Sequence, residues 1–347
     1  MGSKIRFLAH TATWMVTLWL MWGCGEKAGS GDTATLTLGA YTVPREVYER
    51  EIIPAFQSYW QGKTGQAVTF NQSYTASGAQ SRAIASGFDA DIAALSLEQD
   101  VQRLVEGGLI THDWMATPFN GMVTRSVVVM VYRPGNPKQI AGWEDLTRPD
   151  VNVIYPSPKT SGGAMWVVNA IYGAALKQSE LRDGTPDLDF AYQRLKHIQS
   201  RVQVMDKSGR ASVTTFENGI GDVLLTYENE VLLRRMQGKD LPFFIPEATI
   251  LIENPIAVVD KNVDKHGNRE VAEAFVSFVK TPEAQRAFAK YGFRPMDPDV
   301  EREFSSIFPT PPNLFTISYL GGWATVQNRL YAQNGIWTEI VNTLAHH

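Results

Sequence analysis

Short apolar runs alternate along the chain with longer stretches in which apolar residues recur every three or four positions. Thr35 to Ala40 reads as a strand, with Leu36, Leu38 and Ala40 alternating with threonines and Gly39. After Tyr41-Thr42-Val43-Pro44 an amphipathic stretch runs from Arg45 to Trp60, and Pro44 suits a first helical turn, where its missing N–H is no loss. Gln66 to Gln72 is a second strand, Thr75-Ala76-Ser77-Gly78 leads into a helix through about Ser86, and Ala90 to Leu95 is a third strand. Ser126 to Tyr132 is strongly β, and Arg133-Pro134-Gly135-Asn136-Pro137 stops it. Asn152 to Tyr155 opens a second strand-and-helix series that ends near Glu247. Strand character resumes at Ala257-Val258-Val259, and Glu270 to Lys280 and Pro282 to Lys290 read as helices. Strands alternating with helices predict an α/β architecture with a largely parallel sheet. The path out and back predicts two lobes, one from residues 35–125 with 255–347 and the other from 126–254. Two crossover strands would form the hinge, and ligands in such sheets lie beyond the carboxyl ends of the strands.

The first residues follow a different pattern. Lys4 and Arg6 precede a mainly apolar run from Phe7 to Trp22, which is short for a membrane span and suits a secretion signal. It ends at Met21-Trp22-Gly23-Cys24, and Cys24 is the only cysteine. A small residue before a cysteine at that place resembles a bacterial lipoprotein box, so residues 1–24 are expected to be a signal ending at a lipid-bearing Cys24. Residues 25–34, rich in Gly and Ser at their start, read as a flexible tether. The mature domain is then extracytoplasmic, in the periplasm or cell envelope, anchored and free of disulfides.

The 347 residues carry a net charge of −4, with no basic stripe of the kind that nucleic acid requires. An acidic chain does not draw in an anion by long-range field, so any anion site must be built locally. Of the six histidines, only His112, His197 and His266 lie outside the leader and tail, and none has metal-ligand spacing to another. Ser161 lacks a Gly-x-Ser-x-Gly elbow, so a nucleophile is not indicated. Asp222, Glu228 and Glu230 suit fold-stabilising pairs better than a metal site. Catalysis, cofactor and metal are therefore not expected. Trp143, Trp166 and Trp323 read as packing residues, as do Phe275 and Phe278.

One pattern occurs four times: a strand, a short loop of small or hydroxyl residues, then a helix. It occurs at Tyr41-Thr42-Val43-Pro44, Ala76-Ser77-Gly78, Ser161-Gly162-Gly163 and, more weakly, Ser208-Gly209-Arg210-Ala211-Ser212. Each loop offers unpaired backbone N–H groups at a helix N-terminus, an arrangement suited to an anion, and none contains an acidic residue.

With these residues in view, the chain resembles the periplasmic sulfate-binding proteins of ABC importers. The strings that carry the resemblance include Asn71-Gln72-Ser73-Tyr74-Thr75-Ala76-Ser77-Gly78, Pro158-Lys159-Thr160-Ser161-Gly162-Gly163-Ala164 and Gly221-Asp222-Val223-Leu224-Leu225-Thr226-Tyr227-Glu228-Asn229-Glu230. The resemblance runs from about Leu36 to Ile336. It implies a two-lobed periplasmic-binding-protein fold of type II, no enzyme activity and no cofactor. It implies capture of sulfate by neutral donors, namely the Thr42 N–H, Ser77, Ser161, the N–H groups of Gly162 and Gly163, and Gly209. The last contact in the family is usually a tryptophan indole, and Tyr227 stands at the matching position. Arg210 would orient its loop from behind. The implied partners are sulfate and membrane permease subunits, with the protein a monomer. Thiosulfate, molybdate and tungstate, which also only accept hydrogen bonds, remain alternative ligands, as does an anion-sensing ectodomain as an alternative role.

Overall fold

The structure, a computed structural model, describes Gly2 and residues 33–345. Apart from Gly2, the expected signal with Cys24, and nearly all of the tether, lie outside the described residues. Residues 32–347 form one unit by themselves.

β1 (Ala34–Tyr41) buries Leu36, Leu38 and Ala40 completely, as its alternation predicts. The amphipathic stretch after it is one helical run in three registers: α1 (Arg45–Val47), a π turn over Tyr48–Ile52, and α2 (Ile53–Thr64). Pro54 has no N–H for the turn before it, and the register changes there. β2 (Val68–Thr75), α3 (Ser77–Ala85), β3 (Ile92–Ala94) and α4 (Glu98–Glu106) follow.

β4 (Met122–Tyr132) carries the run Val127 to Val131, and both of its faces are covered. Val128 and Met130 join the main core, whereas Val127, Val129 and Val131 join a second cluster with Phe216 and Leu224. This is why the run is continuous rather than alternating. The second series is β5 (Val153–Ile154), α5 (Gly162–Asp183), α6 (Leu188–Gln199), β6 (Val202–Val204), α7 (Gly209–Glu217), β7 (Val223–Tyr227), α8 (Glu228–Met236) and β8 (Phe243–Phe244). The chain returns through β9 (Ala248–Val258) to α9 (Asp260–His266), α10 (Arg269–Phe278), α11 (Pro282–Lys290) and α12 (Pro298–Glu303). It ends with β10 (Asn313–Phe315), α13 (Gly322–Val326) and α14 (Ile336–Ala345).

The strands lie in the order β2-β1-β3-β9-β4-β7-β5-β6, with β10 beside β9 and β8 beside β4. The outer pairs are parallel, but β9 and β4 run antiparallel to their neighbours in that order. The sheet is therefore less parallel than the alternation suggests, because these two strands carry the chain between two parallel groups in opposite directions. Each long strand changes partner midway. β9 pairs with β4 over Leu251–Pro255 and with β3 over Ile256–Val258, while β4 leaves β9 after Val127 and takes up β7 at Val128. β9 also begins nine residues before the expected Ala257. Glu253, Asn254 and Pro255 disguise it, and Pro255 is tolerated beside a register shift in β4, where the ladder is interrupted.

The late helices cover two different places. Phe275 of α10 packs edge-on to Phe56 of α2, with ring centroids 5.0 Å apart, which returns α10 to the β1 group. Much of 313–345, by contrast, packs on the second series, although α13 also reaches α4 of the first. β10 pairs with the first residues of β9, Trp337 Nε1–H donates to Gln199 Oε1 at 3.1 Å, and the Tyr331 hydroxyl donates to Asn169 Oδ1 at 2.8 Å. These contacts differ from the expectation that 255–347 belongs as a whole with 35–125. α14 finds its partner on α6, and Trp323 of α13 meets Trp166 of α5 at 4.8 Å between ring centroids.

Candidate functional site: a cleft at five helix N-termini

The four strand–loop–helix junctions occur where the sequence places them. Thr42 follows β1, Ser77 opens α3, Ser161 caps α5, and Ser208 caps α7, with its hydroxyl accepting the Ala211 N–H at 3.2 Å. Tyr227 adds a fifth junction, as the last residue of β7 and the N-cap of α8. The first N–H groups of a helix have no partner within it, so each junction presents unspent donors.

One cavity of about 20 Å³ lies among them, lined by Thr42, Ser77, Ser161, Gly163, Gly209 and Tyr227 together with Tyr41, Ser96, Pro156 and Thr226 and a few apolar neighbours. A single water needs about 10–15 Å³, so the space as it stands suits a small compact ion. No side chain that is charged at neutral pH lines it. The Ser161 hydroxyl is not turned onto its own helix, and so is available to the cavity. Gly162 stands apart from the lining. Its α-carbon faces the opposite wall, and a Cβ built there would lie 2.8 Å from both Leu97 Cγ and Ser96 Oγ.

The Ser77 hydroxyl is already engaged. It donates to Asp100 Oδ2 at 2.5 Å and accepts the Ser96 N–H at 2.8 Å. Burial raises the Asp100 carboxyl above its usual range, an effect opposed by Ser77 and by Arg103, whose Nη1–H donates to Asp100 Oδ1 at 3.0 Å. Tyr227 is buried, and its hydroxyl lies 2.7 Å from Ser96 Oγ; burial raises its phenol as well. Ser96 is the residue that sequence reasoning missed. The signal existed, because Leu95-Ser96-Leu97 is another small loop between a strand and a helix, β3 and α4, but it has no glycine to draw attention.

Arg210 lies behind the Gly209 loop rather than in the cavity. Its guanidinium donates to both oxygens of Glu230, to both of Glu46 and to the Val43 carbonyl. Glu228 is held by Arg294 at 2.7 and 3.0 Å, and Asp222 accepts the Asn152 N–H at 2.8 Å. The three carboxylates that could have suggested a metal are thus each engaged by the fold. Among the described residues no cluster of His, Cys, Asp and Glu is arranged to hold a metal, and no helix is long and apolar enough to cross a membrane.

Residues 36–294 match the model of a family described as bacterial extracellular solute-binding protein. The chain belongs to this family. Among its relatives, the sulfate-binding protein of Synechococcus elongatus is 41% identical, over 99% of this chain and 98% of the relative. The sulfate-binding protein of Escherichia coli is 39% identical over 87% and 91%, and the thiosulfate-binding protein of Pseudomonas aeruginosa is 33% identical over 87% and 90%. Among solved structures, the sulfate-binding protein SubI of Mycobacterium tuberculosis matches with a TM-score of 0.78 and 38% identity, over 86% of this chain and 99% of that one. A periplasmic thiamin binding protein, 16% identical with a TM-score of 0.65, shares the fold alone. The fold is the two-lobed α/β architecture of periplasmic binding proteins, type II.

Proposed function

We propose that this chain is the extracytoplasmic binding component of an ABC importer, that it captures sulfate between two lobes, and that it is not an enzyme. The observation that carries the reading is the cavity wall, where helix N-termini and hydroxyls converge without a single charged side chain. Sulfate is fully deprotonated at neutral pH and only accepts hydrogen bonds, so a wall of donors satisfies it. A phosphate keeps a proton that such a wall leaves without a partner, at a cost of about 1–3 kcal/mol. The helix ends offset part of the ion's charge. The named relatives point the same way.

The donors in this reading are the N–H groups at Thr42, Gly162, Gly163 and Gly209, with Ser161, Ser77 and Tyr227. Ser77 serves chiefly through its own N–H, because its hydroxyl proton is committed to Asp100. The lobes are the group around β1 with α9–α12 and the group around β7 with residues 313–345, hinged where β4 and β9 change partners. Sulfate touching both groups favours the closed form by differential contact, and the closed monomer docks on a permease. Cys24 carries the lipid that holds the protein at the membrane; labelling of expressing cells with a radioactive fatty acid tests this, since Cys24→Ser should abolish the label.

Thermal unfolding of the purified protein, dialysed free of anions, tests the function. Sulfate at a thousand times its dissociation constant should stabilise by about 4 kcal/mol and raise the midpoint by several degrees, with no shift from phosphate. A larger shift with thiosulfate, molybdate or tungstate would move the specificity to that ion. No shift with any of them would remove the proposal.

A further inference from the structure

Ser96 and Tyr227 approach each other across the cleft from the two strand groups, Ser96 after β3 and Tyr227 at the end of β7. Both line the cavity, both are almost fully buried, at 1% and 3% exposure, and their hydroxyl oxygens are 2.7 Å apart. Two hydroxyls bring two protons, and the bond between them uses one. Asn254 is the other side chain within reach of the Tyr227 hydroxyl, but its Nδ2–H donates to the Ser96 carbonyl and its Oδ1 already accepts the Thr124 hydroxyl at 3.1 Å, so the second proton is not committed to a protein acceptor among the described residues. A buried O–H without an acceptor is costly, so the remaining proton belongs to whatever fills the cavity.

The surroundings fix Ser96 for this part. Its N–H is held by the Ser77 hydroxyl, and its carbonyl accepts from Trp166 Nε1–H at 2.8 Å and from Asn254 Nδ2–H at 3.1 Å. The backbone therefore cannot turn the side chain away without breaking three hydrogen bonds. The Tyr227 ring stands beside Gly163, where an added Cβ would meet Cε1 at 3.5 Å, so the phenol is held by a glycine already placed at the cavity.

We infer that Ser96 is a further ligand-contacting residue and that its hydroxyl and that of Tyr227 act as one donor, spanning the cleft and delivering a single shared proton to the anion. The inference deepens the sulfate reading and rests on it. The donor takes the place of the Ser77 hydroxyl, whose proton goes to Asp100. It also closes the lobes, since the bond exists only when the β3 and β7 ends meet, and an anion accepting from one hydroxyl strengthens the bond to the other.

Because either oxygen can keep the remaining proton, the two positions back each other up. Calorimetric titration of the full mature protein with sulfate should show Ser96→Ala and Tyr227→Phe each weaker by less than about tenfold. The double variant should be weaker by about a hundredfold, more than the product of the two single losses. Both substitutions keep the backbone and most of the volume, and unchanged unfolding midpoints without sulfate check that the fold is intact. A single variant that already shows the full loss of the double would overturn the shared donor, and so would a double variant that binds like the unaltered protein. If the unaltered protein itself fails to bind sulfate, the underlying reading falls and this inference with it. Binding by the unaltered protein with no excess loss in the double variant would overturn the inference alone.

Discussion

The Nε–H of Arg210 donates to both carboxylate oxygens of Glu230, at 3.0 Å each, and the Glu230 side chain is wholly buried. With Glu46 on the other side of the same guanidinium, Arg210 ties together the loops that carry Thr42, Gly209 and Tyr227. Its charge is spent on the protein, which leaves the cavity neutral. Replacing Arg210 by Met leaves Glu230 buried with only Arg234 beside it, at 3.7 Å. The expected loss is about 3–5 kcal/mol of folding stability in urea denaturation. Adding Glu230→Gln should recover a substantial part of that loss, since the unpaired charge is then gone. A double variant no more stable than Arg210→Met would show that Arg210 acts by packing alone.

Gly162 needs to be glycine because the opposite wall comes so close. A methyl there would lie 2.8 Å from Ser96 Oγ and Leu97 Cγ, on the other side of the cleft. Gly162→Ala should therefore wedge the lobes apart while each lobe keeps its own core. Sulfate affinity should fall by about a hundredfold or more, with the unliganded melting midpoint within a few degrees of the unaltered protein. An affinity within a few-fold of the original would mean that the closed form tolerates the methyl.

Ser161→Ala removes a hydroxyl that makes no bond to its own helix. The loss should appear in sulfate affinity, by about tenfold to a hundredfold, the range for one hydrogen bond to a charged group, with little change in stability. Ser77→Ala is expected to behave in the opposite way. Its hydroxyl bridges Asp100 and the Ser96 N–H, both buried, so stability should fall by about 1–3 kcal/mol. Urea denaturation and sulfate titration of the two variants side by side would separate a ligand contact from a strut.

The positions of the loops were legible because a strand, a small residue and a helix leave a local signature at Thr42, Ser77, Ser161 and Gly209. What those hydroxyls bond to was not. Whether Ser77 faces a ligand or Asp100 depends on a residue 23 positions away, brought close by α4. Tyr227 drew notice through resemblance alone, and Ser96 drew none, since a serine between two leucines has no periodicity of its own. β9 was half hidden because a hinge strand crosses between environments, and Glu253-Asn254-Pro255 match neither an alternating nor a continuous apolar pattern. The docking of 313–345 on α5 and α6 rests on apolar faces such as Trp337 and Ile340, which say that a helix packs but not against which partner.

Lys280 offers a test of the fold that is independent of the ligand. Its side chain is buried at the end of α10, with Nζ donating to Thr117 Oγ1 at 2.6 Å, and no carboxylate pairs with it among the described residues. Burial pulls its ammonium from 10.5 down to about 8. The unfolded chain then holds this proton more tightly than the folded one, so between about pH 8 and 10.5 unfolding takes up a proton and stability rises with pH. Below pH 8 the folded state carries the full cost of a buried charge, about 2 kcal/mol after allowance for residual solvation. Lys280→Met should accordingly stabilise the protein at pH 7 by about that amount, and the advantage should shrink toward zero as the pH approaches 10.5. Urea denaturation of both proteins at pH 7, 8.5 and 10 measures the difference directly. A constant difference across that range would mean that Lys280 reaches water and keeps its ordinary proton affinity.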